Sequence, residues 1–331
     1  MVITPGAEHV HSVVYRDTDA FLVELWDTPG DQGMGRLAGR DVAPAAVGDP
    51  AAYVDPMGTT VVLYRGDDAH IHSLYWSGQA AAGHDALSAS SGAIEAAGDP
   101  SGYALAGINH VFYRSPDNHI EELWWEGTGE VNHGHITGYC GEPLAAGDPQ
   151  GYPVTTSNQN IVVYRAVDGH VHSLYWSDGP TGHDNLSGYV GSPLAAGDPV
   201  GYHLPHLDAH QVVYRGVDGH LHEIWWVGAA PAQVWDLVGA AGAPAAASEP
   251  SCWYAAATGL KHVSYVGVDG HVHDLAWAPG SGAPAWTDLT VVALAPPASP
   301  HRPAGYTVPG SASAHVAFRG ADGQIHEIRW G

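Results

Sequence analysis

One unit is written seven times along this chain. Its clearest copy reads VVYRGVDGHLHEIWW, and its tyrosine or an aromatic equivalent recurs at Tyr15, Tyr64, Tyr113, Tyr164, Tyr214, Tyr265 and Phe318, at spacings of 49 to 53 residues. A period near fifty is the mark of propeller blades or of a tandem array. Within each copy apolar and polar residues alternate, β-branched and aromatic residues dominate, and an Asp-Gly step such as Asp168-Gly169 separates two runs. That combination predicts a β-hairpin rather than a helix. With strands labelled a to d outward from an axis, the b strand is the VVYR run and the c strand the HLHEIWW run. The d strand falls on the LSG stretch (Asp184 to Tyr189 in the fourth copy), and strand a begins near Tyr53, Tyr103, Tyr152, Tyr202, Trp253 and Tyr306. Val2 to Thr4 supplies strand a of the first copy.

The expected fold is therefore an all-β, seven-bladed β-propeller in a single domain spanning 1–331. Its approximate blades are 1–47, 48–96, 97–145, 146–195, 196–246, 247–298 and 299–331. Blade seven lacks an LSG stretch and should have three strands. Its last strand, Gln324 to Trp330, would be an open edge guarded by Glu327 and Arg329. A monomer is expected, with a dimer through that edge as the alternative.

Charge narrows the partners. Charged residues make up only 14% of the chain, the formal net charge is -24, and Lys261 is the one lysine. Affinity for a polyanion needs clustered Lys and Arg, so neither nucleic acid nor an anionic membrane surface is an expected partner. Arg16, Arg65, Arg114, Arg165, Arg215 and Arg319 each follow the repeat aromatic, and they read as hairpin supports beside acidic turn residues such as Asp168 or Asp218. Cys140 and Cys252 fall in blades three and six, too far apart to pair, and are expected as free thiols. The N-terminal MVITPGAEHVH has no signal-peptide pattern and no run is long enough to span a bilayer. A soluble protein is expected, cytoplasmic or exported without a cleaved signal.

Twenty-three histidines include the pairs His70 and His72, His170 and His172, His220 and His222, and His271 and His273. Strand alternation sets both members of a pair on one face. A third ligand is not evident, and the pair is broken in the first, third and seventh copies, so packing is favoured over metal binding. The acidic series Asp49, Asp99, Asp148 and Asp198, continued by Glu249, reads as turn chemistry in Gly-Asp-Pro steps, with a ring of oxygen ligands for a hard cation as the alternative. No single nucleophile with its base, and no phosphate-cradling loop, stands apart from the repeats. No enzyme activity and no cofactor are expected. Trp76, Trp125, Trp176, Trp226, Trp277 and Trp330 close the c strands, and a flat ring beside a carboxylate and a donor suits a sugar, whose C–H face packs on the aromatic.

The string Tyr214 to Trp226, followed by VWDLVGAAGAP from Val234, resembles the repeat of bacterial seven-bladed lectins of the Photorhabdus type and their uncharacterised relatives. The likeness covers all seven copies. The fungal fucose-specific lectins are more distantly similar. Their sugar pockets between neighbouring blades use a basic residue on strand b, a carboxylate on strand c and aromatic walls. Registering the turns carries those positions onto His110 with Glu122, Gln211 with Glu223, His262 with Asp274 and His315 with Glu327, accompanied by Trp125, Trp226, Trp277 and Trp330. The remaining copies depart from the pattern, with Ser12 and Glu24, Val61 and Ser73, and Ile161 and Ser173. The basic position never keeps the arginine of the fungal family. The resemblance implies a multivalent carbohydrate-binding protein whose partners are glycans or small saccharides. A protein-binding scaffold, and a single-site enzyme or metal-binding propeller using the central channel, remain the alternatives.

Overall fold

The computed structural model describes residues 1–5, 11–28, 31–37, 43–55, 57–78, 82–139, 141–177, 181–308 and 311–331. Its strands form seven antiparallel sheets, six of four strands and a last one of three, each with its strands hydrogen-bonded in sequence order. This is the seven-bladed β-propeller fold, with the short seventh blade that the repeat count predicts. Strand a of blade one is Val2–Pro5, and the last strand is Ile325–Trp330. The chain clusters into two compact units, one of Met1–Asp168 with Ser173–Asp184 and the other of Gly169–His172 with Asn185–Gly331.

In both units the repeat aromatic anchors its blade. Tyr113 and Tyr164 in the first unit, and Tyr214 and Tyr265 in the second, are fully buried. Their hydroxyls donate to the carbonyls of Ile94, Pro143, Pro193 and Pro244 at 2.8 to 3.0 Å. A buried phenol needs such a partner, and the same burial raises the Tyr214 hydroxyl to about 12. Phe318 fills the equivalent place without one.

The d strand corrects the sequence reading. In blade four it covers Gly182–Asn185, and the LSG stretch is instead a one-turn helix, Leu186–Val190. Helices Leu87–Ser91, Leu237–Ala241 and Leu289–Ala293 stand at the equivalent points of blades two, five and six. The Asn185, Asp236 and Asp288 side chains accept from backbone N–H groups three residues on, which starts the turn. Left-handed Gly191 and Gly242 end two of these helices. Each helix turns a leucine inward and, in three blades, a hydroxyl as well. Oγ of Ser88, Oγ of Ser187 and Oγ1 of Thr290 accept the first N–H of strand c.

The arginines do more than support their own hairpins. Arg114 and Arg319 do donate to Asn118 Oδ1 and the Gly323 carbonyl of their own turns at 3.0 and 3.2 Å, but Arg65 also lies 3.6 Å from Asp99, Arg114 3.9 Å from Asp148 and Arg215 3.9 Å from Glu249, the acidic turns of the next blades. Asp99 also accepts from the Asp49 N–H at 2.8 Å. These carboxylates join successive blades within a unit. Burial raises the Asp99 carboxyl, against the pull of the Asp49 N–H. Cys252 is a free thiol packed against the core of blades five and six, and burial pushes it well up, which makes it a poor nucleophile. Cys140 lies outside the described residues. Among the described residues no helix is long and apolar enough to cross a membrane.

Candidate functional site

The faces of each sheet decide what the site residues can meet. Residues directly opposite in an antiparallel pair share a face. In blade three Phe112 opposes Glu122, His110 opposes Trp124, and Asn109 opposes Trp125. Glu122, His110 and Trp124 therefore look one way, and Trp125 looks the other. Blade five repeats the arrangement, with Gln211 opposite Trp225 and His210 opposite Trp226. The tryptophans that close the c strands of blades four and seven accordingly meet Phe112 and His262 on the acid-bearing face of the preceding blade, a grouping that counting along one strand does not reveal. Trp125 packs against a core cluster that contains Tyr53, Val61 and Leu63 of blade two.

The four registered pairs differ in how fully their carboxylates are engaged. In blade three His110 Nδ1 and Glu122 Oε1 are 2.7 Å apart and both residues are 7% exposed. The second Glu122 oxygen makes no hydrogen bond among the described residues. On the same face stand Phe112, directly opposite Glu122, which meets Trp176 of blade four edge-on at 5.9 Å, and Tyr103, opposite His110, whose ring tilts against it at 5.5 Å. The Tyr103 hydroxyl donates to Asn160 Oδ1 at 2.8 Å, closing the inner end of this gap.

In blade five Glu223 is 1% exposed and meets Lys261 of blade six at 2.7 Å. The same ammonium donates to Gln211 Oε1 at 2.9 Å and lies 4.4 Å from the centre of the Trp277 ring. Burial raises the Glu223 carboxyl and lowers the Lys261 ammonium, each opposed by the other's charge. In blade six both Asp274 oxygens are used, one with His262 Nδ1 at 2.8 Å and one by the Ser264 hydroxyl at 2.9 Å. His262 stacks on Trp253 at 5.0 Å and meets Trp330 of blade seven edge-on at 6.1 Å.

In blade seven the partly buried Glu327 side chain takes His315 Nδ1 at 2.9 Å and the Tyr306 hydroxyl on one oxygen, and Arg329 at 3.0 and 3.1 Å on the other. Partial burial would raise this carboxyl, but the hydrogen bonds from His315 and Tyr306, joined by Arg329, hold it down at about 2.

The His-x-His pairs serve their own hairpins. His72, His222 and His273 face the turn carboxylates Asp68, Asp218 and Asp269 at 3.0 Å. Their partners His70, His220 and His271 reach Ser88, Asp236 and Asp288 at the helix starts. Each imidazole thus has a local partner, and the turn and helix of one blade are tied through it.

No family model matches the chain, and no curated protein matches it. Solved structures do. The BP39L lectin from Burkholderia pseudomallei aligns with a TM-score of 0.78 at 16% identity, over 99% of this chain and 95% of its own. AofleA from Arthrobotrys oligospora aligns at 0.62 and 10%, over 99% and 88%. The Aleuria aurantia lectin, solved with α-methyl-L-fucoside, aligns at 0.54 and 14%, over 85% and 91%, and is a six-bladed propeller. At these identities the likeness establishes the propeller fold.

Proposed function

We propose that this protein is a carbohydrate-binding, lectin-like propeller without catalytic activity, with several weak sugar sites between neighbouring blades. The gap that begins at blade three is the foremost site. The observation that carries the reading is Glu122. One oxygen is held by His110 while the other is left to accept from a ligand, beside the aromatic rings of Tyr103, Phe112 and Trp176. A charged acceptor next to flat apolar rings matches a saccharide, which offers hydroxyl donors at its edge and C–H groups on its face. The structural neighbours named as lectins support the same class of ligand.

The other pairs are graded by what already occupies their acids. Asp274 and Glu327 are satisfied by their own blades, and Glu223 by a lysine. A shallow site near ~1 mM supplies about 4 kcal/mol, and several on one scaffold raise avidity by roughly 10² to 10⁴.

A glycan array at high protein density should show binding. Titration of the best hit should then weaken at least about tenfold in Glu122→Gln, which keeps the shape and removes the charge. A silent array would refute the lectin reading, and an unchanged affinity in Glu122→Gln would move the site elsewhere.

A further inference from the structure

Blade five carries a group of side chains that no other copy has. Strand a, Val200–Leu204, and strand b, Ala209–Arg215, form a hairpin in which His203 and His210 are directly opposite partners. Two imidazoles on one face of an antiparallel pair stand as close as cross-strand neighbours can, and here their ring centres are 4.8 Å apart. Asp208 closes the turn between them. One ligand atom from each of the three lies within 4.8 Å of the others. At the equivalent points blade three has Ala104, Gly107 and Asn109, and blade six has Tyr254, Gly259 and Lys261. The aspartate takes a left-handed conformation with φ 48°, a region otherwise suited to Gly or Asn.

Two further observations point to a missing partner. The His203 side chain is 1% exposed, yet its Nδ1 has no hydrogen-bond partner among the described residues. A buried ring nitrogen left this way is destabilising unless water or an ion satisfies it. The contact between His203 Nε2 and Asp208 is also long, 3.3 Å, where the other histidine–carboxylate pairs of blades three, five and six close to between 2.7 and 3.0 Å. The other three-residue cluster, Asp269, His273 and Asp288, differs on this point. His273 there is bonded to Asp269 and to the Trp286 N–H, and Asp288 to His271 and the Val291 N–H.

We propose that His203, Asp208 and His210 form a binding site for a divalent first-row transition ion of the Zn²⁺ class. Two imidazoles and a carboxylate are a common three-ligand set for such an ion, and the fourth position is left to water or a ligand. Tetrahedral binding at 2.0 to 2.1 Å needs ligand atoms about 3.3 Å apart, a contraction within reach of side-chain rotation on a fixed hairpin. His210 lies flat on the Trp226 ring at 4.5 Å, which fixes its plane and supplies an optical reporter.

The test is titration of the metal-free protein with Zn²⁺ by calorimetry, and with Cu²⁺ by tryptophan fluorescence. One equivalent should bind with micromolar affinity, and Cu²⁺ should quench a component that is absent from Trp226→Phe. Asp208→Asn keeps the left-handed turn and should weaken Zn²⁺ binding at least about tenfold, as should His210→Gln. Asp269→Asn should leave it unchanged. Failure of the folded wild type to bind, or equal binding by wild type and Asp208→Asn, would overturn the site. Glycan binding is measured separately through Glu122, so the two proposals can fail independently.

Discussion

The gap entered by Glu122 and the gap entered by Glu223 occupy the same place in successive copies of one repeat, yet they differ in what the following blade contributes. Blade four offers Asn160, which bonds Tyr103 and leaves Glu122 with an open oxygen. Blade six offers Lys261 at the same register, and its ammonium reaches both Glu223 and Gln211. A single change, Asn to Lys, converts a carboxylate with one unused oxygen into a buried ion pair. Under the proposed function, position in the repeat sets where a site can be, and the neighbour's residue four before the repeat tyrosine sets whether it is already filled.

The comparison breaks most visibly at Lys261. Lys261→Met strands the Glu223 carboxylate in an almost fully buried place, and the expected loss is about 3 to 5 kcal/mol by denaturant unfolding. Adding Glu223→Leu to that variant should recover most of the loss, because a buried ion pair is often no more stable than packed apolar groups. A loss below about 1 kcal/mol in the single variant would mean that the pair is solvated and the contrast between the gaps is weaker than described.

Blade seven sharpens the comparison by a smaller effect. The Glu327 carboxyl is held at about 2, below its ordinary 4.5. A depressed carboxyl adds stability that is complete above its unfolded value and is lost as pH falls through the folded one. Between pH 5 and pH 2 the melting temperature of wild type should therefore fall more steeply than that of Glu327→Gln, so that the two curves converge in acid. Parallel curves would show that His315, Tyr306 and Arg329 do not hold the charge.

The blade count, the hairpins, the a strands and the short last sheet were legible because the tyrosine and Asp-Gly spacing repeats seven times. The helix in the LSG stretch was less so. Its signal is the Asn185 or Asp236 three residues before a glycine, a cap that competes with the strand pattern of Val234 to Leu237. Register alone brings His110 to Glu122 and His262 to Asp274, which are hydrogen-bonded, whereas the sheet face that each tryptophan presents to a neighbour is a property of packing and not of spacing. In the sequence Lys261 is a lone charge with no visible partner. The members of the blade-five group look ordinary singly. They stand out only when His203, Asp208 and His210 are compared together with the residues that replace them in other copies.

On the proposed function the second Glu122 oxygen accepts from a sugar, whereas Lys261 occupies the matching place beside Glu223. Crystals soaked with a mixture of monosaccharides test it most directly. Sugar density should appear against Glu122, Tyr103 and Trp176 and be missing beside Glu223. Density beside Glu223 with none at Glu122 would contradict the account.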